Sequence, residues 1–269
     1  MSRIAAGFKQ LRDEGRKGFI PFLTAGDPDL ETSLSIALRL AERADVIELG
    51  VPFSDPMADG PVIQRSSQRA VNNGTSLLDV IRLASQIRDK SDVPVVLFSY
   101  YNPVLSFGVA DFCRASADAG VDGVLLTDVI DDEALDLSQR LAAFKLDLIS
   151  LVSPTTGDAR LANICNHARG FIYAVSRNGT TGEQETTSSS AANLVQRVRA
   201  LTDLPVAVGF GISTGEQIAE VWGFADAAVV GSSIVAEIER ASMSSDAVSR
   251  VDSLLERLLP RVAKKGAEN

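Results

Sequence analysis

Val46-Ile47-Glu48-Leu49-Gly50-Val51-Pro52-Phe53-Ser54-Asp55-Pro56-Met57-Ala58-Asp59-Gly60-Pro61 joins a short apolar run to a loop rich in proline, glycine and aspartate. The run reads as a strand buried on both faces, because it is continuously aliphatic rather than alternating. One carboxylate, Glu48, interrupts it. An unpaired carboxylate in an apolar strand is costly, since desolvation penalises its charged form. Sites that carry out acid–base chemistry near neutral pH accept that cost. A structural alternative is that Glu48 pairs with an arginine elsewhere and that the loop is only a turn.

The same kind of run recurs along the chain, at 18–24, 93–100, 123–127, 146–152, 170–175, 205–210 and 227–231. Helix-period segments separate the runs, among them 30–44, 76–90, 109–119, 132–144, 191–201 and 233–240. Strand alternating with helix implies parallel pairing and right-handed crossovers. Eight such units in 269 residues predict an α/β (β/α)8 TIM barrel of eight strands and eight helices, one domain over 1–269. The segment Met1 to Gly15 adds an amphipathic helix with Ile4, Phe8 and Leu11 on one side. A doubly wound sheet is the alternative, but Thr24-Ala25-Gly26-Asp27-Pro28 stands where its glycine fingerprint would be. The Ser/Thr/Gly-rich stretch 176–190 falls between the sixth strand and its helix and is predicted to be a mobile active-site loop. The tail 263–269 is predicted to be disordered.

Composition narrows the function. A net charge of −9 argues against nucleic acid or an anionic membrane as partner. No apolar run is long enough to suggest a membrane span, and the amphipathic start does not read as a signal peptide. Cys113 and Cys165 show no metal or redox spacing and fit a reducing, cytoplasmic setting. With His167 as the one histidine, at a helix end, neither a zinc site nor a Ser-His-Asp nucleophile is expected.

The barrel assigns the site, because such folds place chemistry at the C-terminal ends of the strands. Glu48 shares parity with Val46 and Gly50, so an inward-facing set puts it in the upper interior layer. Asp59 sits on the following loop and arches over the same mouth. One carboxyl in a dry layer and one on a more solvated loop make an acid/base pair split by environment. Asp55, between Ser54 and Pro56, reads as a turn cap. A second constellation is Gly209-Phe210-Gly211 at the seventh strand end and Gly231-Ser232-Ser233 at the eighth. Loops after strands seven and eight commonly hold phosphate, with backbone N–H groups and a helix start as donors. Gly182 in the sixth loop is a further candidate donor.

Several blocks then carry a family resemblance. Phe19-Ile20-Pro21-Phe22-Leu23-Thr24-Ala25-Gly26-Asp27-Pro28, the Glu48 to Gln64 block and Ser99-Tyr100-Tyr101-Asn102-Pro103 resemble the tryptophan synthase alpha-subunit family. So do Tyr173-Ala174-Val175-Ser176-Arg177-Asn178-Gly179-Thr180-Thr181-Gly182, Val208-Gly209-Phe210-Gly211-Ile212 and Val230-Gly231-Ser232, in the family's order. The resemblance implies retro-aldol cleavage of indole-3-glycerol phosphate to indole and glyceraldehyde 3-phosphate. It implies that Glu48 shuttles protons to indole C3 and the substrate hydroxyl, and that Asp59 meets the indole N–H. It places Phe22, Tyr100, Leu125, Leu151, Tyr173 and Gly209, Phe210 and Gly211 around the substrate. Thr181 is implied as a lid residue that positions the aspartate, and Gly182, Gly211, Gly231 and Ser232 as phosphate donors. No metal or cofactor is implied in this chain. Pyridoxal phosphate (PLP) belongs to the family's β subunit, which receives indole through a tunnel in an α2β2 (alpha2beta2) assembly. Ile130 departs from the proline that many members carry, in a loop that neighbours the partner. Competing readings are a non-catalytic or weakly catalytic barrel that binds and regulates a partner, and a related phosphate-binding barrel isomerase or synthase, such as an indole-glycerol-phosphate synthase. The synthase leans on a strand lysine, whereas Lys90 and Lys145 fall at helix or loop edges here.

Overall fold

The computed structural model of the protein describes residues 2–175, 187–209, 211–241 and 243–259. Its strands are β1 (Gly18–Thr24), β2 (Ile47–Gly50), β3 (Val95–Ser99), β4 (Gly123–Leu126), β5 (Asp147–Val152), β6 (Ile172–Val175), β7 (Val206–Gly209) and β8 (Ala227–Val230). They pair in chain order, all parallel, and β8 returns to β1 to close a barrel. The expected (β/α)8 architecture holds, and closure rules out the open doubly wound sheet.

The helices are α1 (Arg3–Asp13), α2 (Leu30–Ala41), α3 (Pro61–Asn72), α4 (Leu77–Arg88), α5 (Tyr101–Phe107) and α6 (Val109–Asp118). The chain continues with α7 (Asp131–Ala143), α8 (Asp158–His167), α9 (Thr187–Arg199), α10 (Gly215–Trp222), α11 (Ser232–Glu239) and α12 (Ser244–Leu258). Twelve helices among the described residues stand where eight and the N-terminal one were expected. The connections after β2, β3 and β8 each hold two helices, and α1 precedes the barrel. The predicted loop 176–190 lies outside the described residues up to 186, and α9 already begins at Thr187. The tail 263–269 also lies outside them.

Strand parity sorts the core into two shells. The inward residues Ile20, Val46, Val96, Leu125, Ile149 and Ala207 pack together inside the barrel. Their outward neighbours, such as Phe19, Ile47, Leu49, Val95 and Leu97, pack under the helices. Both shells are apolar, which is why these strands read as unbroken hydrophobic runs. Helix α1 joins the inner shell: Ile4, Phe8 and Leu11 are buried with it, and Phe8 meets Phe171 at 5.6 Å between ring centroids. The helix therefore plugs one end of the barrel, each of the three side chains worth about 1.5–3 kcal/mol of burial. Ser2 caps α1 and donates to Asp147, and Arg3 pairs with Asp122 at 2.9 Å.

Aspartates fix the strand register at the same end. Asp45 accepts from the Phe19 N–H at 2.8 Å, Asp122 from Val95 at 2.9 Å and Asp226 from Val206 at 2.9 Å. Each carboxylate precedes an even-numbered strand and takes an amide at the start of the preceding odd one. Neither cysteine has a disulfide partner; both are buried, Cys113 on α6 and Cys165 on α8. His167 ends α8 with Nδ1 2.8 Å from the Asn163 carbonyl. Among the described residues, no helix is long and apolar enough to cross a membrane.

Candidate functional site

Glu48 lies in a strand whose four residues are all buried, paired with Phe22 of β1 and Val96 of β3. Val46, two residues earlier, belongs to the barrel interior, so Glu48 also faces inward. The residue is 1% exposed, and Oε1 has no hydrogen-bond partner among the described residues. Among the described residues no arginine pairs with it, which argues against the structural alternative. Burial pushes its pKa up to about 8, so the carboxyl is largely protonated at neutral pH.

Asp59 reaches the site from the loop between β2 and α3. Gly60 precedes the helix and Pro61 occupies its first turn, where a missing N–H costs nothing. The loop is pinned by Tyr100, which follows β3. The Tyr100 hydroxyl donates to Asp59 Oδ2 at 3.0 Å and accepts from the Ala58 N–H at 2.9 Å. Ser67 of α3 both accepts from the Phe53 N–H and donates to the Phe53 carbonyl, at 2.7 and 2.9 Å. Burial raises the Asp59 pKa, and the Tyr100 hydrogen bond opposes that rise. Asp55 is exposed and takes the Ser54 hydroxyl, in keeping with its reading as a turn residue.

An ionic clamp holds α3 to its neighbours. Arg69 donates from Nε and Nη2 to the buried Asp27, at 2.8 Å each, and from Nη1 to Glu239 of α11 at 2.7 Å. Arg65 adds two bonds of 2.7 Å to Glu239, and these guanidinium groups hold the Glu239 pKa down at about 2. The helix that follows Asp59 is thereby tied to the helix that follows Gly231 at the end of β8.

Above the plugged interior opens a cavity of about 850 Å³. Glu48 and Asp59 both line it, with Phe22, Leu151 and Tyr173 as apolar and aromatic wall. Phe22 and Phe98 meet edge-on at 5.4 Å. The Tyr173 phenol stays neutral, its pKa raised well above the ordinary value first by desolvation and then by Glu48 and Asp59. Gly209 makes room for it: a Cβ there would lie 2.2 Å from the Tyr173 hydroxyl. Gly211, Gly231 and Ser232 line another part of the cavity. Gly211 has φ +74°, a left-handed conformation that glycine adopts without strain. Ser232 begins α11, whose N-cap Gly231 provides no side-chain cap. Its first-turn N–H groups have no carbonyl one turn back, and with the helix dipole they favour an anion. Arg160, the one cation among the described lining residues, belongs to α8 rather than to this glycine wall.

The structure thus gathers Phe22, Glu48, Asp59, Leu151, Tyr173, Gly211, Gly231 and Ser232 around one cavity, with Tyr100 and Gly209 directly behind. Leu125 is not brought there; it is wholly buried in the inner shell, and the inward residue at the mouth of that strand is Thr127. Thr181, Gly182 and Phe210 lie outside the described residues. Sequence reasoning missed Thr127 and Phe98. Both were within reach of the parity argument, two residues from Leu125 and Tyr100. Among the described residues, no cluster of three or more His, Cys, Asp or Glu could hold a metal ion.

The family model described as tryptophan synthase alpha chain matches residues 8–261. A tryptophan synthase alpha chain from Acidiphilium cryptum is 49% identical over 237 residues, 87% of this chain and 86% of that one. Another, from Phenylobacterium zucineum, is 46% identical over 272 residues, 99% of this chain and 98% of that one. The fold is also similar to a crystal structure of tryptophan synthase from M. tuberculosis in its aminoacrylate-bound form. That match has a TM-score of 0.86 at 34% identity and covers 96% of this chain and 98% of that chain.

Proposed function

The chain belongs to the tryptophan synthase alpha chain family, and we propose that Glu48 and Asp59 are the catalytic pair of its lyase reaction. The enzyme is a carbon–carbon lyase of L-tryptophan biosynthesis that cleaves indole-3-glycerol phosphate to indole and glyceraldehyde 3-phosphate. The observation that carries the assignment is the pairing of a neutral buried carboxyl with a second carboxyl held by a tyrosine on the same cavity. Protonated Glu48 delivers its proton to indole C3, and the positive charge that develops at the ring nitrogen is met by the Asp59 carboxylate. The Glu48 carboxylate then takes the proton of the adjacent side-chain hydroxyl. The C–C bond breaks, its electrons restore the indole ring, and the hydroxyl carbon leaves as the aldehyde. Phosphate at Gly211, Gly231 and Ser232 anchors the glycerol chain, so binding energy remote from the reacting bond serves orientation. Thr181 and Gly182 are proposed to join the site from the sixth loop.

The direct test is incubation of the chain alone with indole-3-glycerol phosphate and measurement of indole. No indole, with or without added β subunit, would overturn the reading. Two pH predictions follow. The first step needs protonated Glu48, so kcat/KM should fall as pH rises through about 8. Asp59 must be ionised, and the Tyr100 hydrogen bond favours that form. Tyr100→Phe should therefore raise the Asp59 pKa, shift the acid limb to higher pH and lower kcat roughly tenfold, the scale of one hydrogen bond to a charged group.

The chain is proposed to work in the cytoplasm without a metal or organic cofactor of its own, and to pass indole to a pyridoxal-phosphate-dependent β subunit in an α2β2 assembly. The surface at the cavity rim supports this. Met57 is 90% exposed and Ile130 50%, and both border the cavity. Two other apolar residues of the loop turn inward: Pro52 is buried, and Phe53 packs on Tyr100 at 5.2 Å. Pro52→Ala would therefore disturb the fold as well as any docking, whereas the exposed Met57 and Asp55 allow Met57→Ser and Asp55→Ala to probe docking with the fold intact. Both should weaken β-subunit association in sedimentation, and the wild-type chain should turn over faster once the β subunit is added.

A further inference from the structure

Thr127 sits one residue beyond β4, on the inward parity of Gly123 and Leu125. Its N–H donates to the Ser99 carbonyl at 3.1 Å, which carries the β3–β4 ladder one step past the Ser99–Leu126 pair. Thr127 therefore stands next to Tyr100 on the same inner face. The side chain lines the cavity shared by Glu48 and Asp59, yet Oγ1 is sealed from solvent and makes no hydrogen bond among the described residues. A buried hydroxyl without a partner is destabilising, and valine would fill the same space without that cost.

The Tyr100 oxygen offers the matching vacancy. A phenol has one donor and two acceptor sites. The donor is spent on Asp59 and one acceptor on the Ala58 N–H, which leaves one acceptor open. Thr127 is close enough to favour ionisation of Tyr100 but is not aligned as a hydrogen bond. Its hydroxyl proton rotates freely, so a small movement of the mouth closes the gap.

We propose that Thr127 is a positioning residue for the reaction: with substrate bound, its hydroxyl donates to the Tyr100 oxygen and fixes the Tyr100–Asp59 hydrogen bond. A phenol that accepts an additional hydrogen bond becomes a stronger donor. Asp59 Oδ2 is held by Tyr100, and the other carboxylate oxygen is left for the indole N–H. Thr127 thus acts on Asp59 through Tyr100 and touches no reacting atom. The inference rests on the assignment of Asp59 above. The other titratable or charged groups among the described residues on this cavity are Glu48 of β2, Tyr173 of β6 and Arg160 of α8.

The test uses the full chain, indole-3-glycerol phosphate, and pH profiles of Thr127→Val and Thr127→Ser. Valine keeps the shape and removes the hydroxyl; serine keeps the hydroxyl. For Thr127→Val the expected result is a melting temperature equal to or above wild type. Its kcat falls roughly threefold to tenfold with KM little changed, and its acid limb moves to higher pH. Thr127→Ser restores kcat and the limb, and Thr127→Val adds no further loss to Asp59→Asn. Wild-type kcat and pH profile in Thr127→Val would overturn the inference. So would a loss in Thr127→Val that serine does not rescue, which marks a purely steric role. If Asp59→Asn itself keeps wild-type turnover, the assignment of the catalytic pair fails instead, so the two failures are distinguishable.

Discussion

Glu48→Gln is expected to abolish indole release, with a loss of at least about a hundredfold in kcat, the scale of a positioned acid–base group. Glutamine fits the same buried slot and is neutral like the protonated acid, but it neither gives nor takes the proton. The loss should therefore appear in kcat with KM nearly unchanged, as when an interaction of the transition state alone is removed. Stability should move the opposite way. The folded-state pKa of Glu48 is raised to about 8 from an ordinary 4.5. Between those values the native chain binds more protons than the unfolded one, so wild-type stability falls as pH rises through that window. The variant lacks this loss. Its melting temperature should exceed that of wild type at pH 9 and approach it at pH 4. Near-native turnover with a normal circular dichroism spectrum would show that Glu48 is not the proton donor.

Asp59→Asn is expected to cost a similar factor for a different reason. Asparagine can still accept from Tyr100, so the loop keeps its anchor, but the negative charge opposite the ring nitrogen is gone. A preorganised charge aimed at developing charge is worth more in a dry cavity than in water. Unlike Glu48→Gln, this variant keeps its proton donor, so the fall in kcat/KM near pH 8 should persist in whatever activity remains. Rates measured from pH 5 to 9 separate the two roles, and a wild-type rate in Asp59→Asn would remove the aspartate from the mechanism.

The barrel and its principal carboxyl were legible in the sequence because strands buried on both faces leave an unmistakable apolar signature. Glu48 stood out against that signature. The double helices were less legible: the periodic segments 76–90 and 109–119 begin just past Gly74 and Gly108, glycines with positive φ, so α4 and α6 were read while α3 and α5 before them passed as loop. Parity identified the inward residues but not their height. Strands in a closed barrel are staggered, so inward residues of equal rank lie at different depths. Thr127, the next inward residue after Leu125 on the same strand, accordingly went unnoticed. The Tyr100–Asp59 hydrogen bond joins two loops that follow different strands, and no local pattern in either loop announces the other. Pro52 and Phe53 share the composition of Met57, yet only the packing against Tyr100 and Ser67 decides which of them faces solvent.

The helix that stops one end of the barrel has a consequence for the order in which the chain is made. Ser2 and Arg3 find their partners 145 and 119 residues later, at Asp147 and Asp122. Other parts of the socket, Phe171 and Ala227, are synthesised later still. On the ribosome the helix therefore exists long before all that covers Ile4, Phe8 and Leu11 is complete. A chain halted before β8 carries that uncovered stripe together with an unclosed sheet edge, the two surfaces by which nascent chains stick to one another. The last strand of this barrel is thus also what retires the first helix, and stalled or truncated chains should be the species that chaperones hold.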